Sequence, residues 1–234
     1  MKQEIDAVVQ WMRETVAAAH ADGVVFGLSG GIDSAVVAGL SKRAFGDKAL
    51  GIIMPIDSNP QDEKDARIVA ESLDLNVEKV DLTNTFNALV DASFESDVAM
   101  AKANVKPRLR TTTLYYYAQD RNYLVCGCPN ASEYYIGYFT KYGDSACDLM
   151  PIVNFVKSEV VELAKALGLP KEVIEKKPTA GLYAGQTDED DMGFTYAELD
   201  RAVRGNNEGE HKEAIARRHQ TSAHKRALPP RFER

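Results

Sequence analysis

Cysteine and histidine are scarce in this chain of 234 residues, which contains three cysteines and four histidines. An odd number of cysteines does not form a disulfide framework, and neither residue type recurs at the spacing of a structural zinc site. Such cysteine usage is typical of a reducing compartment, so we expect a cytoplasmic protein. No apolar run approaches the length of a membrane span, and we find no secretory signal after the first lysine.

Basic residues are outnumbered as well, with 28 Lys and Arg against 35 Asp and Glu and a net charge of -7. This balance disfavours general nucleic-acid binding, and we expect neither nucleic acid nor a membrane as a partner. The contents of hydrophobic residues (44%) and charged residues (27%) are those of an ordinary globular domain. The length fits one α/β domain, which we predict to span residues 1–234.

Two common nucleotide-binding signatures are missing, since no Gly-x-x-x-x-Gly-Lys-Ser/Thr occurs and no Gly-x-Gly-x-x-Gly follows a strand. A different loop, SGGIDS at residues 29–34, follows an apolar run and opens into an amphipathic one. Strand, small-residue loop and helix in this order present backbone N–H groups to a phosphate chain. Within the loop, Asp33 is either a helix N-cap or a magnesium ligand.

Apolar strands alternate with amphipathic helices along the chain. We predict strands at 24–28, 49–54, 76–80 and 123–126, and helices at 3–20, 34–44, 61–73, 84–118, 157–167, 195–204 and 208–219. This alternation predicts an α/β fold with a doubly wound, mostly parallel sheet and flanking helices. Ligands bind such sheets at the carboxyl ends of the strands, where Ser29, Pro55 and Gly127 should share one edge. A long loop is expected over residues 175–193.

Several charged residues near this edge have two interpretations each. Glu133 is a second magnesium ligand or a glutamate stabilised at a helix start. Lys141, in an aromatic stretch, contacts a flat anionic ligand or lies on a packed turn. Arg108 and Arg110 point roughly 200 degrees apart on a helix, so only one of them is expected to clamp an anion. The basic run at 224–226 is a solvated tail, a clasp over an anionic ligand or a contact to a partner subunit.

These segments occur in the order SGGIDSA, NVKPRLRTTTLY, GYFTKYGD, CDLMPI, KPTAGLYAGQTDEDDMG and HKR. That order resembles the ammonia-dependent NAD synthetase family of the ATP pyrophosphatase superfamily, over about residues 3–232. The resemblance implies the adenine nucleotide alpha hydrolase-like fold and a C–N bond-forming ligase. In the family, the carboxylate of nicotinic acid adenine dinucleotide (deamido-NAD) attacks the α-phosphorus of ATP and displaces pyrophosphate. Ammonia then converts the acyl-adenylate to NAD and AMP.

The resemblance also implies roles for individual residues. It assigns ATP binding to Ser29, Gly30, Gly31, Ile32, Asp33, Ser34, Cys128, Lys157 and Thr179. It assigns deamido-NAD binding to Arg108, Arg110, Lys141, Asp148, His224 and Lys225. Asp33 and Glu133 would bind Mg²⁺, and Asp33 and Lys157 are the expected catalytic residues. The family's homodimer is implied as well, and without a glutaminase domain we expect free or separately delivered ammonia to be the nitrogen donor.

The chain departs from the family pattern at three places. Cys128 stands where the family has a threonine, Ser145 and Ala146 replace two glycines, and Pro107 replaces an alanine and is expected to kink its helix. Two alternatives therefore stay open: an adenylating amide ligase for a different carboxylate, and a weakly catalytic nucleotide-binding homologue. Formation of AMP from deamido-NAD would distinguish them from the main hypothesis.

Overall fold

The computed structural model describes residues 1–178, 187–206 and 208–233. Its centre is a parallel sheet of four strands, β1 (Gly23–Gly27), β2 (Ala49–Ile53), β3 (Asn76–Lys79) and β4 (Tyr123–Val125). The strand order is β3-β2-β1-β4, so the chain adds strands on one side of β1 and then crosses to its other side. This reversal between β1 and β4 is the point at which open α/β sheets bind ligands.

Helices connect the strands and cover both faces of the sheet. They are α1 (Lys2–Ala18), α2 (Ile32–Phe45), α3 (Pro60–Ser72), α4 (Thr83–Asp91), α5 (Ala99–Ala103), α6 (Val105–Arg121), α7 (Ala131–Ile136), α8 (Lys157–Leu167), α9 (Lys171–Ile174), α10 (Asp188–Met192), α11 (Tyr196–Val203) and α12 (Lys212–Thr221). The predicted α/β fold with a doubly wound parallel sheet is confirmed.

The alternation of side chains along β1 divides the core between the two faces of the sheet. Val24 and Phe26 belong to the larger cluster, with the apolar faces of α1, α2 and α8. Val25 belongs to a second cluster, with Leu114 of α6. Because β1 is buried on both faces, its end is held rigidly at the centre of the sheet.

The stretch predicted as helical over 84–118 is divided into α4, α5 and α6. Residues 92–98, ASFESDV, lack a continuous apolar stripe, and α4 and α5 bury no side chain completely. Near Pro107, where a kink was expected, the structure has a helix boundary instead, because α5 ends at Ala103 and Pro107 lies in the first turn of α6. A backbone N–H has no helical partner at that position, so proline costs the helix little there.

The long loop expected over 175–193 contains α10, which begins after Thr187. The Thr187 hydroxyl accepts a hydrogen bond from the Asp190 amide, so a threonine cap starts this helix. Residues 179–186, which include the predicted ATP contact Thr179, lie outside the described residues. Periodicity did not reveal α7, α9 and α10 because each is shorter than two turns. Among the helices of the described residues, none has the length and apolar character needed to cross a membrane.

Candidate active site

A cavity of about 1180 Å³ opens at the carboxyl ends of the strands. The loops that follow β1, β2 and β4 all line it, and Ser29, Pro55 and Gly127 are among the lining residues. The expectation that these loops share one edge is therefore confirmed. The position of the cavity follows from the strand order, since the order reverses between β1 and β4 and open α/β sheets bind ligands at such a point.

The SGGIDS loop is shaped by its own serines. The Ser34 hydroxyl accepts a hydrogen bond from the Ser29 amide at 3.2 Å and donates one to the Gly31 carbonyl at 2.9 Å. The Ser29 hydroxyl accepts from the Gly31 amide. Helix α2 begins at Ile32 with Gly31 as its N-cap, so the interpretation of Asp33 as the N-cap was wrong. Asp33 lies in the first turn instead, and its carboxylate is free to face the cavity.

Gly30 has a different place in this loop from its neighbours. Its φ is 79°, and a Cβ built on it would lie 2.5 Å from the Asp62 carbonyl oxygen of α3. Gly30 thus packs against α3, whereas Ser29, Gly31, Ile32, Asp33 and Ser34 line the cavity. The glycine is required by the left-handed backbone and by the close approach of α3.

Three charged side chains meet at the centre of the site, and we call them the Asp33–Lys157–Glu133 cluster. The Lys157 ammonium lies 2.6 Å from Oδ2 of Asp33 and 3.4 Å from Oε1 of Glu133. The side-chain Nδ2 of Asn130 donates to Oδ1 of Asp33 at 2.8 Å. Lys157 is only 6% exposed. Three helix starts, those of α2, α7 and α8, thus deliver three charges to one point of the cavity.

Burial and neighbouring charges shift the pKa values of Glu133 and Lys157. Burial and the nearby Asp33 raise the pKa of Glu133 to about 8. Burial alone would lower the pKa of Lys157, but Asp33 and Glu133 raise it above its ordinary value. The two carboxylates therefore favour a cation between them, and Lys157 supplies one.

Both interpretations of Glu133 describe part of its geometry. It is the third residue of α7 and forms a capping box, in which Asn130 accepts from the Glu133 amide and Glu133 accepts from the Asn130 amide. Its other carboxylate oxygen faces Lys157 and accepts a hydrogen bond from the Tyr196 hydroxyl at 3.3 Å. Glu133 therefore stabilises a helix start and lines the cavity at the same time.

The donor set fits a magnesium ion. Asp33 and Glu133 converge from different helices, and Mg²⁺ in nucleotide sites is commonly bound by one or two carboxylates together with phosphate oxygens and water. Within the described ranges, no group of three or more His, Cys, Asp and Glu could hold a metal ion. Asp33 and Glu133 would therefore supply two ligands of Mg²⁺, and phosphate oxygens of the substrate and water would complete its coordination shell.

The residues predicted to bind the dinucleotide divide into two groups. Arg110 and Lys225 line the cavity. Arg110 donates to the Met54 carbonyl at 2.9 Å, and Lys225 donates to the carbonyls of Gly137 and Phe139. Arg108, on the exposed side of α6, donates to the Lys141 carbonyl. The expectation that only one arginine of the pair faces the ligand edge agrees with this geometry.

The other residues of that prediction lie beside the cavity. Lys141 donates from its ammonium to the His224 carbonyl at 2.6 Å, which ties the tail to the aromatic turn. His224 itself is exposed. Asp148 accepts from the Val125 amide and from the Tyr115 hydroxyl. Neither Lys141, Asp148 nor His224 lines the cavity of this single chain.

Cys128 lies in the wall of the cavity, two residues beyond the buried Cys126. Burial raises the pKa of the Cys128 thiol well above its usual range. The thiol is therefore protonated at neutral pH and is a weak hydrogen-bond donor in the wall of the cavity.

Sequence reasoning missed four polar residues that surround the cluster: Asn130, Asp188, Tyr196 and Asp200. Asp188 accepts from the Tyr196 hydroxyl at 2.8 Å. The Tyr196 ring lies 5.0 Å from the Lys157 ammonium, and Asp200 accepts from the Lys157 amide. Asn130, three residues before Glu133, carries a capping-box signal that could have been found. Asp188 lies within the segment KPTAGLYAGQTDEDDMG but was given no role of its own. Tyr196 and Asp200 had no local signal, since they contact Glu133 and Lys157 far away in the sequence.

Fold and site together define an ATP pyrophosphatase-type enzyme, with a serine–glycine phosphate loop and a charged cluster at the switch point of a parallel sheet. The NAD synthase family profile matches residues 4–229, and the chain belongs to this family. The NH3-dependent NAD+ synthetase of Finegoldia magna is 53% identical over 226 residues, which cover 97% of this chain and 94% of that relative. The family resemblance inferred from the motifs is confirmed.

Two solved structures are similar over nearly the whole chain. The NMN synthetase of Francisella tularensis has a TM-score of 0.93 and 41% identity, and the match covers 99% of this chain and 98% of that one. The NH3-dependent NAD synthetase of Campylobacter jejuni has a TM-score of 0.83 and 31% identity, with the same coverage. This chain is thus an ATP-using ligase of NAD synthesis that takes ammonia as its nitrogen donor.

Replacing Gly30 by alanine should destabilise the protein more than the same change at Gly168. Both glycines have left-handed backbones, with φ of 79° and 74°, but a Cβ at Gly168 would meet nothing within 4 Å. Gly168→Ala should lower the free energy of unfolding by about 1 kcal/mol, the backbone cost alone. Gly30→Ala should cost at least about 1 kcal/mol more because of the clash with Asp62. Urea unfolding measures both, and equal losses would contradict the close approach of α3.

The raised pKa of Glu133 predicts that Glu133→Gln stabilises the magnesium-free protein at pH 8. Between pH 4.5 and 8 the native carboxyl keeps a proton that the unfolded chain releases, so native stability falls as the pH rises through this range. A neutral glutamine avoids this loss, with an expected gain on the order of 1–3 kcal/mol at pH 8. Below about pH 4.5 the gain should vanish.

Thermal unfolding at pH 4.5 and pH 8 tests this expectation. The matched control is Glu162→Gln, since Glu162 lies on the surface of α8 with 55% of its side chain exposed. The control should change the melting temperature little at either pH. Equal effects of Glu133→Gln at both pH values would show that the carboxyl keeps its ordinary titration.

Proposed function

We propose that this chain amidates deamido-NAD with ammonia through an acyl-adenylate, giving NAD, AMP and pyrophosphate. The single observation that supports this most is the Asp33–Lys157–Glu133 cluster beside the SGGIDS loop, in a cavity of about 1180 Å³. A buried cluster of this kind suits phosphoryl transfer, where positioning and charge neutralisation contribute most of the catalysis. No nucleophilic side chain is needed, because the substrate supplies the attacking carboxylate.

In this proposal, the SGGIDS loop holds the leaving pyrophosphate. Ser29, Gly30, Gly31, Ile32 and Ser34 shape the phosphate cradle at the start of α2, where the helix dipole favours negative charge. Lys157, with Thr179 and Cys128, contacts ATP, and its ammonium neutralises charge that develops on the phosphate oxygens. Asp33 and Lys157 act as the catalytic residues. The deamido-NAD carboxylate attacks the α-phosphorus, and the bond to pyrophosphate breaks.

Asp33 and Glu133 are the proposed ligands of Mg²⁺. When bound, Mg²⁺ would offset negative charge on the ATP phosphates and help orient them. Asp33 and Glu133 would hold the ion from the starts of α2 and α7, and the side-chain amide of Asn130 orients the Asp33 carboxylate. The Lys157 ammonium lies between these carboxylates and would contribute its charge to the phosphates beside them.

Ammonia completes the reaction by attacking the acyl carbon of the adenylate. The C–N bond forms, the acyl–oxygen bond to AMP breaks, and a proton is lost from nitrogen. The proposed contacts to the dinucleotide are Arg110 and Lys225, which line the cavity, and Arg108, Lys141, Asp148 and His224, which lie beside it. Because several of them lie outside the cavity of one chain, a homodimer with the substrate at its interface fits their position. We further propose a cytoplasmic location and one domain over residues 1–234.

A mononucleotide substrate is the second candidate, because the NMN synthetase of Francisella tularensis matches this chain with a TM-score of 0.93. The dinucleotide stands first, because the relative with 53% identity is an NAD synthetase. The two substrates carry the same nicotinic carboxylate, so the chemistry at the cluster is common to both. Only the length of the bound nucleotide differs.

A coupled assay tests the proposal. Purified protein receives ATP, Mg²⁺, ammonium and either nicotinic acid adenine dinucleotide or the corresponding mononucleotide, and amide product and AMP are counted in parallel. We expect equal amounts of NAD and AMP, dependent on ammonium, with a higher kcat/KM for the dinucleotide. A higher kcat/KM for the mononucleotide would transfer the proposal to NMN, and AMP without amide would contradict the ammonia step.

Asp33→Asn should abolish most activity with little loss of fold. Asparagine keeps the shape and one acceptor oxygen, but it removes the charge that pairs with Lys157 at 2.6 Å. We expect kcat to fall at least about 100-fold with a melting temperature within a few degrees of wild type. Asp47→Asn, on a side chain that is 89% exposed, is the control and should keep both values. A large drop in melting temperature with retained kcat would assign Asp33 a structural role.

A further inference from the structure

A buried carboxylate behind the cluster has no part in the mechanism so far. Asp200 lies on α11, is 8% exposed and belongs to none of the motifs of the sequence analysis. One of its oxygens accepts from the Ser132 hydroxyl at 2.6 Å and from the Lys157 amide at 3.2 Å. The other oxygen accepts from the Ser158 amide at 2.9 Å. A single side chain therefore contacts both helices that carry Lys157 and Glu133.

The contacts to Lys157 and Ser158 replace a missing helix cap. Helix α8 begins after Val156, whose apolar side chain cannot accept hydrogen bonds from the first turn. Asp200 reaches these amides from another helix and satisfies both of them. Its negative charge also lies at the positive end of the α8 dipole. The backbone of Lys157 is thus fixed by a residue 43 positions further along the chain.

The contact to Ser132 extends this restraint to the second helix. Ser132 precedes Glu133 on α7 and is completely buried. Since the same Asp200 oxygen accepts from Ser132 and from the Lys157 amide, the backbones of residues 132 and 157 are held close together. The side chains of Glu133 and Lys157 then meet on the cavity side of this junction.

A second residue of α11, Tyr196, contacts the side chains of the cluster directly. Tyr196, one turn before Asp200, donates to Glu133 at 3.3 Å, and its ring lies 5.0 Å from the Lys157 ammonium. Residues four apart lie on the same face of a helix, so α11 presents one face to both groups. Lysine has a long side chain with many rotamers, and its ammonium stays near Asp33 only if its backbone and neighbours are fixed.

We propose that Asp200 is a positioning residue, which sets the Lys157 ammonium and the Glu133 carboxylate for adenylate formation through its contacts to the starts of α7 and α8. It touches neither substrate nor reacting atoms. The proposal rests on the proposed function in so far as Lys157 and Glu133 act on ATP. Loss of the Asp200 carboxylate should lower kcat more than it weakens the binding of ATP, because a displaced Lys157 ammonium stabilises the transition state less.

Asp200→Asn is the main test variant, since asparagine preserves the size of the side chain but cannot accept from all three donors. We expect kcat to fall at least about tenfold, while the KM for ATP stays within about threefold. Glu198→Gln is the matched control on the same helix. Glu198 caps α11 and contacts His211, away from Lys157, so its variant should lose comparable stability but keep kcat within about twofold.

Ser132→Ala provides a second variant should Asp200→Asn fail to fold. It removes the hydrogen bonds of the Ser132 hydroxyl with Asp200 and with the Lys157 amide, but the bonds from the Lys157 and Ser158 amides to Asp200 stay in place. A smaller loss of kcat, about threefold to tenfold, is therefore expected. A kcat within twofold of wild type for Asp200→Asn would overturn the proposal. An equal loss of kcat in Glu198→Gln would also overturn it, because the effect would then follow general stability.

Crystal structures of the wild type and of Asp200→Asn separate this proposal from the proposed function. In the variant, the distance from the Lys157 ammonium to Oδ2 of Asp33 should increase from 2.6 Å to beyond hydrogen-bond length. This readout does not require activity, and an unchanged distance would overturn the positioning role. A wild-type protein that forms no amide from either nucleotide would contradict the proposed function alone.

Discussion

The structure depends on the pairing of three charges that are withdrawn from water at the carboxyl edge of the sheet. Burying an unpaired ammonium costs several kcal/mol, so Lys157 is stable there only beside a carboxylate, which Asp33 and Glu133 each supply. Each comes from the first turn of a different helix. The relative position of α2, α7 and α8 is therefore coupled to the chemistry of the site, and the strands β1 and β4 serve to bring these helix starts together.

Lys157 is in an electrostatically unfavourable position for a lysine. A positive charge at the start of a helix opposes the macrodipole, whereas Asp33 and Glu133 at the starts of α2 and α7 agree with it. Asp33 and Glu133 compensate this charge at the Lys157 ammonium, and Asp200 adds a negative charge at the backbone amide of the same residue. The start of α8, whose dipole alone attracts anions, thus also carries a lysine ammonium, and both features favour phosphate.

The sequence predicted those parts of the site that are contiguous in the chain. The SGGIDS loop was recognisable because the strand, the small residues and the helix follow one another directly, and the sheet followed from apolar runs of strand length. Asp200 was not predictable in the same way, because its partners Ser132 and Lys157 lie 68 and 43 residues away. The same applies to Lys176, which pairs with Asp62 and Asp65 across more than 110 residues. Short helices such as α7 escaped because they have too few turns to show a period.

The polar residues around the Asp33–Lys157–Glu133 cluster offset part of the free energy that burying its charges costs. Burial and Asp33 raise the pKa of Glu133, which means that ionising the Glu133 carboxyl opposes folding. Asn130, Tyr196 and Asp188 form hydrogen bonds with the cluster or with one another, and Asp200 fixes the backbone behind it. A neutral residue in place of Glu133 would make the protein more stable, but the site would then attract cations less strongly. The negative charge of the carboxylates lowers the stability of the free protein, and it also attracts a metal ion and the Lys157 ammonium to the place where anionic phosphates bind.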